Sequence, residues 1–347
     1  MSPAAVLAGL GGWTPPRVVT NDMLAAELDT SDEWIRTRTG IHRRCVVPPG
    51  MSTGDLAVEA GSRALDSAGG GAVDAVVLAT STPDRPCPAT APSVAHRLGL
   101  GEVPAFDVAA VCTGFLYALA TARGLIGAGI AGSVLVIGAD AFSTILDPAD
   151  RTTRVIFGDG AGAVVLRAGE VAEPGALLGF DLGSDGADAE LITVPAGGSQ
   201  QRSRGAPAAV ADHYFQMDGK PVFSRAVRRM SGSARRVVAD AGWEMSDVDV
   251  LVAHQANARI LKACAAELGI APERAVQNLD RVGNTVAASV PLAMADAAAS
   301  GELAPGDRVV LTGFGGGLTW GATALRWPGI PVNDEPDAVR PGTEGTS

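Results

Sequence analysis

The chain repeats itself. The stretch "RALDSAGGGAVDAVVLATS" at residues 63–81 has a counterpart in "RRVVADAGWEMSDVDVLVAHQ" at residues 235–255. Each reads as a helix that stops at Ala-Gly, a short acidic loop and an apolar, β-branched strand. In the same way "HRLGLGEVPAFDVAAVCTG" (residues 96–114) pairs with "AELGIAPERAVQNLDRVGNT" (residues 266–285), and "GSVLVIGADAFST" (residues 132–144) with "DRVVLTGFGGGLT" (residues 307–319). Helix–strand units in the same order twice predict an internal duplication. Buried strands alternating with helices predict an α/β fold with two mixed, mainly parallel sheets covered on both faces. The expected halves are residues 1–171 and 172–327, joined through a Gly-, Ser- and Asp-rich stretch over residues 172–220. Residues 328–347 lack a core pattern and are expected to form a mobile tail.

With 347 residues, 47% of them hydrophobic, the chain has material for two packed lobes. Its net charge of −11 argues against nucleic acid or an anionic membrane as partner, and an acidic partner would need a local basic patch. Residues 1–16 have neither the positive segment nor the apolar run of a secretory signal. The uncharged run at residues 124–139 is too short and too Gly-rich to read as a membrane span. Cys45, Cys87, Cys112 and Cys264 are scattered with no CxxC pair, which points away from a disulfide framework or a zinc site and fits a reducing cytoplasm.

Ligands of open α/β sheets gather beyond the carboxyl ends of strands. Cys112, His254, Asn284 and the turn at residues 315–317 all follow predicted strands, and a pseudo-twofold axis between halves would bring these loops together. Cys112 lies where "PAFDVAA" gives way to an apolar helical pattern. A thiol at a helix N-terminus is expected to have a lowered pKa, but a buried structural cysteine fits the position equally. His254, in "DVLVAHQAN", can exchange a proton or donate a hydrogen bond; it can also be a satisfied strand-end histidine. Asn284, in "DRVGNTVAASVPLAM", reads first as a turn and cap residue. "GFGGGLTWG" at residues 313–321 lets backbone N–H groups approach a ligand closely, as an oxyanion hole requires. "FGDGAGA" at residues 157–163 is followed by a strand and is therefore no dinucleotide loop.

Together these stretches resemble β-ketoacyl-[acyl carrier protein] synthase III, a thiolase-fold condensing enzyme. The resemblance spans roughly residues 6–327 and rests on "TSDEWIRTRTGI", "AVCTGF", "LDPADRTTRVIFGDGAGA", "HQANARI", "GNTVAASVP" and "GFGGGLTWG". It implies a layered α-β-α-β-α arrangement. It also implies Cys112 as nucleophile toward an acyl-coenzyme A primer, and His254 and Asn284 as donors to the enolate left when a malonyl thioester on acyl carrier protein loses CO₂. The backbone N–H groups of Cys112 and Gly316 would form the oxyanion hole. Thr30, Trp34, Arg38 and Arg151 would hold coenzyme A, with the adenine between Trp34 and Arg151. No metal, nicotinamide or flavin is implied.

Arg259 matches a carrier-docking position, and Arg225, Arg228, Arg229, Arg235 and Arg236 would extend a basic patch; Ser224 stands where the family often has a docking lysine. The loop "PDRPCPATAP" would cross a homodimer interface into the partner's acyl pocket, and Cys87 in place of a bulky aromatic there predicts room for branched or longer primers. Three other readings compete: the same chemistry priming a polyketide, acyl transfer without condensation, and a catalytically silent partner subunit. Retention of Cys112, His254 and Asn284 argues against the last two.

Overall fold

A computed structural model describes residues 3–332 of the chain. Nine strands build its two larger sheets: β1 (Ala4–Trp13), β2 (Ala75–Ala79), β3 (Ala105–Val108), β4 (Ser133–Asp140), β5 (Gly160–Gly169), β6 (Phe180–Ser184), β7 (Val250–Ala253), β8 (Arg308–Gly315) and β9 (Thr319–Arg326). The helices that matter here are α1 (Asp32–Thr39), α2 (Thr53–Ser67), α3 (Ala91–Arg97), α4 (Gly114–Gly127), α5 (Gly219–Asp240), α6 (Ala258–Leu268) and α7 (Ser289–Ser300). The first sheet has the order β1-β5-β4-β2-β3, the second β7-β8-β9-β6.

Period-two patterning in the strands divides the core into layers. Val134 and Val136 of β4 face the centre of the molecule, and Leu135 and Ile137 face outward. Between the sheets lie α4 and α7, buried through Phe115, Leu116 and Leu119 of one and Val290, Ala293 and Ala297 of the other. Such nearly all-round apolar helices suit a central layer. The outer face of the first sheet is covered by α2 and α3, that of the second by α5 and α6. The result is the layered α-β-α-β-α arrangement.

The expectation of mainly parallel pairing needs correction. β2 runs parallel to β3 and β4, and β7 to β8; the other four pairings, β1–β5, β4–β5, β8–β9 and β9–β6, are antiparallel. A parallel neighbour needs a crossover of a dozen or more residues. The three residues between β8 and β9 cannot supply one, so the chain turns back on itself.

Residues 172–220 do more than connect. They supply the edge strand β6 and a short ladder of Ile192–Thr193 with Gln216–Met217. This ladder carries Ile192, Phe215 and Met217 against Cys112. Of the expected tail, Ile330 and Val332 pack against the core and the Pro331 carbonyl accepts the Ser67 hydroxyl at 2.7 Å, while residues 333–347 lie outside the described residues. No described helix is long and apolar enough to cross a membrane.

Candidate functional site

Cys112 lies in a single 3₁₀ turn, Val111–Thr113, that opens α4. Val111 takes φ +45°, a left-handed value that is strained for a β-branched residue. Thr113 steadies the turn, donating to the Ala110 carbonyl at 2.7 Å and meeting the Thr319 hydroxyl of β9 at 2.5 Å. The tip of β8 closes over the turn from the other half. A Cβ on Gly315 would lie 2.8 Å from the Cys112 nitrogen and 3.1 Å from the Cys112 Cβ, so only glycine lets the strand tip approach the turn this closely. Gly316 follows in the turn, and a side chain there would point at Ile192 instead.

Cys112, His254, Asn284 and Gly315 line one cavity of about 40 Å³. The space is worth about three water molecules. Its apolar wall is a cluster of Phe142, Phe157 and Phe215, whose ring centroids are 4.7 to 5.0 Å apart with two edge-to-face contacts.

His254 follows β7 and is 2% exposed. Burial lowers its imidazole to about 3, so the ring is neutral at physiological pH. Ser289, at the start of α7, accepts the Gln255 N–H at 2.6 Å and lies 3.0 Å from His254 Nδ1. With its oxygen accepting from Gln255, the Ser289 hydroxyl hydrogen is free for Nδ1. Donation of that hydrogen to Nδ1 leaves the ring hydrogen on Nε2, as a donor. Asn284 commits its Oδ1 to the Val286 N–H at 3.0 Å, which leaves its amide hydrogens available.

Sequence reasoning expected the helix N-terminus to lower the Cys112 pKa. Here the thiol is instead pushed well up, first by burial and then by the charge of Asp140. Desolvation of the thiolate outweighs the helix terminus in an apolar pocket. Cys45 and Cys264 are buried, free and likewise raised by burial, as structural cysteines are.

The proposed coenzyme A residues also come together. The Ser31 hydroxyl caps α1 by accepting the Trp34 N–H at 3.1 Å. The Trp34 ring lies 4.9 Å from the Arg38 guanidinium and 5.4 Å from that of Arg151, which is tied to the Asp29 carbonyl at 2.5 Å. Thr30 sits beside this group with a buried hydroxyl that has no partner. Asn257 donates to the Arg38 carbonyl at 3.0 Å, joining the segment after His254 to α1. Cys87 is exposed on its own loop and does not line this chain's cavity.

The chain matches the family profile described as 3-oxoacyl-[acyl-carrier-protein (ACP)] synthase III over residues 106–186, and the profile of that family's C terminal over residues 238–327. It is 62% identical over 330 residues to β-ketoacyl-[acyl-carrier-protein] synthase III 5 of Streptomyces coelicolor, covering 95% of this chain and 99% of that one. It superposes on the crystal structure of 3-oxoacyl-(acyl carrier protein) synthase III from Pseudomonas aeruginosa with a TM-score of 0.88 at 56% identity, covering 94% and 99% of the two chains. The chain belongs to the β-ketoacyl-[acyl-carrier-protein] synthase III family. It is also similar to the priming β-ketosynthase of the R1128 polyketide biosynthetic pathway, with a TM-score of 0.88 at 32% identity and coverage of 95% and 98%.

The arginines expected to dock a carrier divide. Arg225, on α5, is bound to Asp188 at 2.6 Å and so is not the free cation its position suggested. Arg229 pairs with Asp185 and stacks on Trp320, Arg235 pairs with Glu267, and Arg236 with Asp181. Three of these acids come from residues 181–188, which the arginines' own spacing could not reveal. Arg228 and Arg259 are exposed and have no acidic partner among the described residues. Sequence reasoning missed Ser289, Gln255 and the three phenylalanines. Only the closeness of Ser289 to Asn284 in "GNTVAASVP" hinted at the first, and nothing hinted at the phenylalanines, which converge from separate segments. Among the described residues no three His, Cys, Asp or Glu side chains are grouped to hold a metal ion.

Proposed function

We propose that this chain condenses an acyl-coenzyme A primer with malonyl-acyl carrier protein to give a β-ketoacyl-acyl carrier protein. One observation carries the reading: a thiol, a neutral imidazole and a carboxamide share a small cavity with Gly315. Cys112 sulfur adds to the primer thioester as its thiol proton departs, and coenzyme A leaves with a proton as the free thiol. The backbone N–H groups of Cys112 and Gly316 serve the tetrahedral oxyanion. Coenzyme A is held by Trp34, Arg38, Arg151 and Thr30, with Arg151 shifting off the indole to admit the adenine.

The malonyl thioester then loses CO₂. The enolate oxygen takes hydrogen bonds from His254 Nε2 and the Asn284 amide, and the carbanion attacks the acyl-Cys112 carbonyl, returning the thiolate. A neutral histidine suits this role because it gives up no proton, and the group that collects the Cys112 proton is solvent or the departing thiolate. Arg259 and Arg228 serve carrier docking; Arg225 holds Asp188.

The primer is short. The phenylalanine wall limits depth, and Cys87 of a partner subunit, in place of a large ring, adds width, so small branched acyl groups fit. A homodimer follows from that shared pocket. The 32% identical polyketide priming relative favours a second reading, in which the product starts a polyketide. The test is intact-protein mass spectrometry after incubation with mixed acyl-coenzyme A esters, followed by CO₂ and product analysis with malonyl-acyl carrier protein. An adduct on wild type and none on Cys112→Ala is expected. An adduct that persists in Cys112→Ala, or transfer without CO₂ release, refutes the condensing reading.

A further inference from the structure

The duplication produces two elbows, and only one carries sulfur. Cys112 occupies the turn Val111–Thr113, and Ala287 occupies the turn Val286–Ala288 that opens α7. Val111 and Val286 share a left-handed backbone, with φ of +45° and +54°. The strand tips meet these turns crosswise. A Cβ on Gly138 of β4 would lie 2.4 Å from the Ala287 carbonyl oxygen, while one on Gly315 of β8 would lie 2.8 Å from the Cys112 nitrogen.

In the repeat, "VIGAD" of β4 aligns with "LTGFG" of β8, so that Asp140 stands where the other half has Gly315. At Gly315 the bare Cα packs directly against the Cys112 backbone. At Asp140 a carboxylate engages the equivalent turn: Oδ2 accepts the Ala287 N–H at 3.0 Å, and Oδ1 accepts the Ser81 N–H at 2.7 Å and the Thr80 and Thr82 hydroxyls at 3.2 and 3.1 Å. Asp140 is fully buried and has no Lys or Arg partner among the described residues. A buried carboxylate held only by neutral donors must be satisfied by all of them.

We propose that Asp140 is a positioning residue whose carboxylate permanently fills the anion niche of the sulfur-free elbow and, by holding that elbow, aims Asn284 into the cavity. The mechanical link is short. Ala287 is anchored by Asp140, its neighbour Val286 is held in a strained conformation, and the Val286 N–H fixes Asn284 Oδ1. The inference rests on the condensing function proposed above. Burial raises the Asp140 carboxyl to about 7, so the assays are run at pH 8, where it is ionised.

Two half-reactions of the full-length protein are measured separately: acyl transfer to Cys112, by intact mass, and CO₂ release from malonyl-acyl carrier protein. Wild type must perform both; if it performs neither, the proposed function fails rather than this inference. Asp140→Asn is expected to lower CO₂ release at least tenfold while acyl transfer is not slowed, because the lost charge is one that disfavours the Cys112 thiolate. Added to Asn284→Ala, it is expected to cost nothing further. Asp140→Gly, which copies the other half, is expected to regain CO₂ release with formate and not with formamide. Asp140→Glu, which keeps the charge but overshoots the niche, is expected to show the same selective loss. Equal loss of both half-reactions, additivity with Asn284→Ala, or no response to formate overturns the proposal. So does unfolding of every variant, since Asp140 would then be a determinant of folding and no more.

Discussion

Gly315→Ala is the sharpest perturbation of the site, because it adds a single methyl where the strand tip packs directly on the Cys112 turn. Built on the observed backbone, that carbon lies 2.8 Å from the Cys112 nitrogen, 3.1 Å from the Cys112 Cβ and 3.2 Å from the Thr113 nitrogen. Contact with backbone cannot be relieved by a side-chain rotation, so the turn or the strand tip must shift. Overpacking of this kind costs about 1–3 kcal/mol of stability. The larger effect is on rate. A shifted turn carries the Cys112 N–H out of line with the oxyanion, and loss of one oxyanion donor lowers kcat by about 10²–10³-fold, or roughly 2.7–4 kcal/mol. Acyl transfer to Cys112 would be timed by mass spectrometry, with thermal unfolding as the check on folding. Gly316→Ala is the milder control: its methyl would meet the Ile192 side chain at 3.1 Å and the Ile192 carbonyl oxygen at 3.2 Å, no contact falls below 3.0 Å, and the Gly316 N–H is retained. If Gly315→Ala folds and transfers acyl groups within threefold of wild type, the seating of the Cys112 turn against the strand tip does not set the rate.

Three further outcomes are expected. Trp34→Ala removes an aromatic platform of the kind worth about 1–3 kcal/mol per stacked base, so KM for acyl-coenzyme A should rise about 5- to 150-fold with kcat nearly unchanged in steady-state kinetics. Phe215→Leu, at a stability cost of about 1 kcal/mol, should move a primer panel toward longer chains by opening the aromatic wall. His254 is held neutral, near 3, whereas an unfolded imidazole binds a proton near 6.5. Native His254 therefore costs stability as pH falls below about 6.5. His254→Gln should gain on wild type by about 1.4 kcal/mol per pH unit from there toward pH 4 in denaturant titrations, and a constant difference across that range would contradict the buried neutral ring.

Much of this was legible because the strands and helices repeat in order. Matching "GSVLVIGADAFST" to "DRVVLTGFGGGLT" located both strand tips, and strand ends in an α/β fold point to Cys112 and His254 without any contact information, whereas Asn284 follows a short helix, Leu279–Val282, in place of the expected strand. Direction of pairing was less legible, since it depends on whether a connection is long enough to cross over, and the link from β8 to β9 is not. The thiol's pKa was misjudged because a helix terminus is visible in sequence and desolvation is not. Arg225 looked free because its partner Asp188 comes from a segment 37 residues away. The phenylalanine wall draws on residues 142, 157 and 215, each in a different loop, with no periodicity to connect them. Asp140 was in view as the counterpart of Gly315, yet its meaning required seeing which turn each tip touches.

The crosswise seating ties the two halves together. Gly138 is constrained by the carbonyl of Ala287, 149 positions later (287 − 138), and Gly315 by the nitrogen of Cys112, 203 positions earlier (315 − 112). Each strand tip is thus a mould for the opposite half's turn, and a side chain added at either glycine is felt across the molecule rather than in its own half.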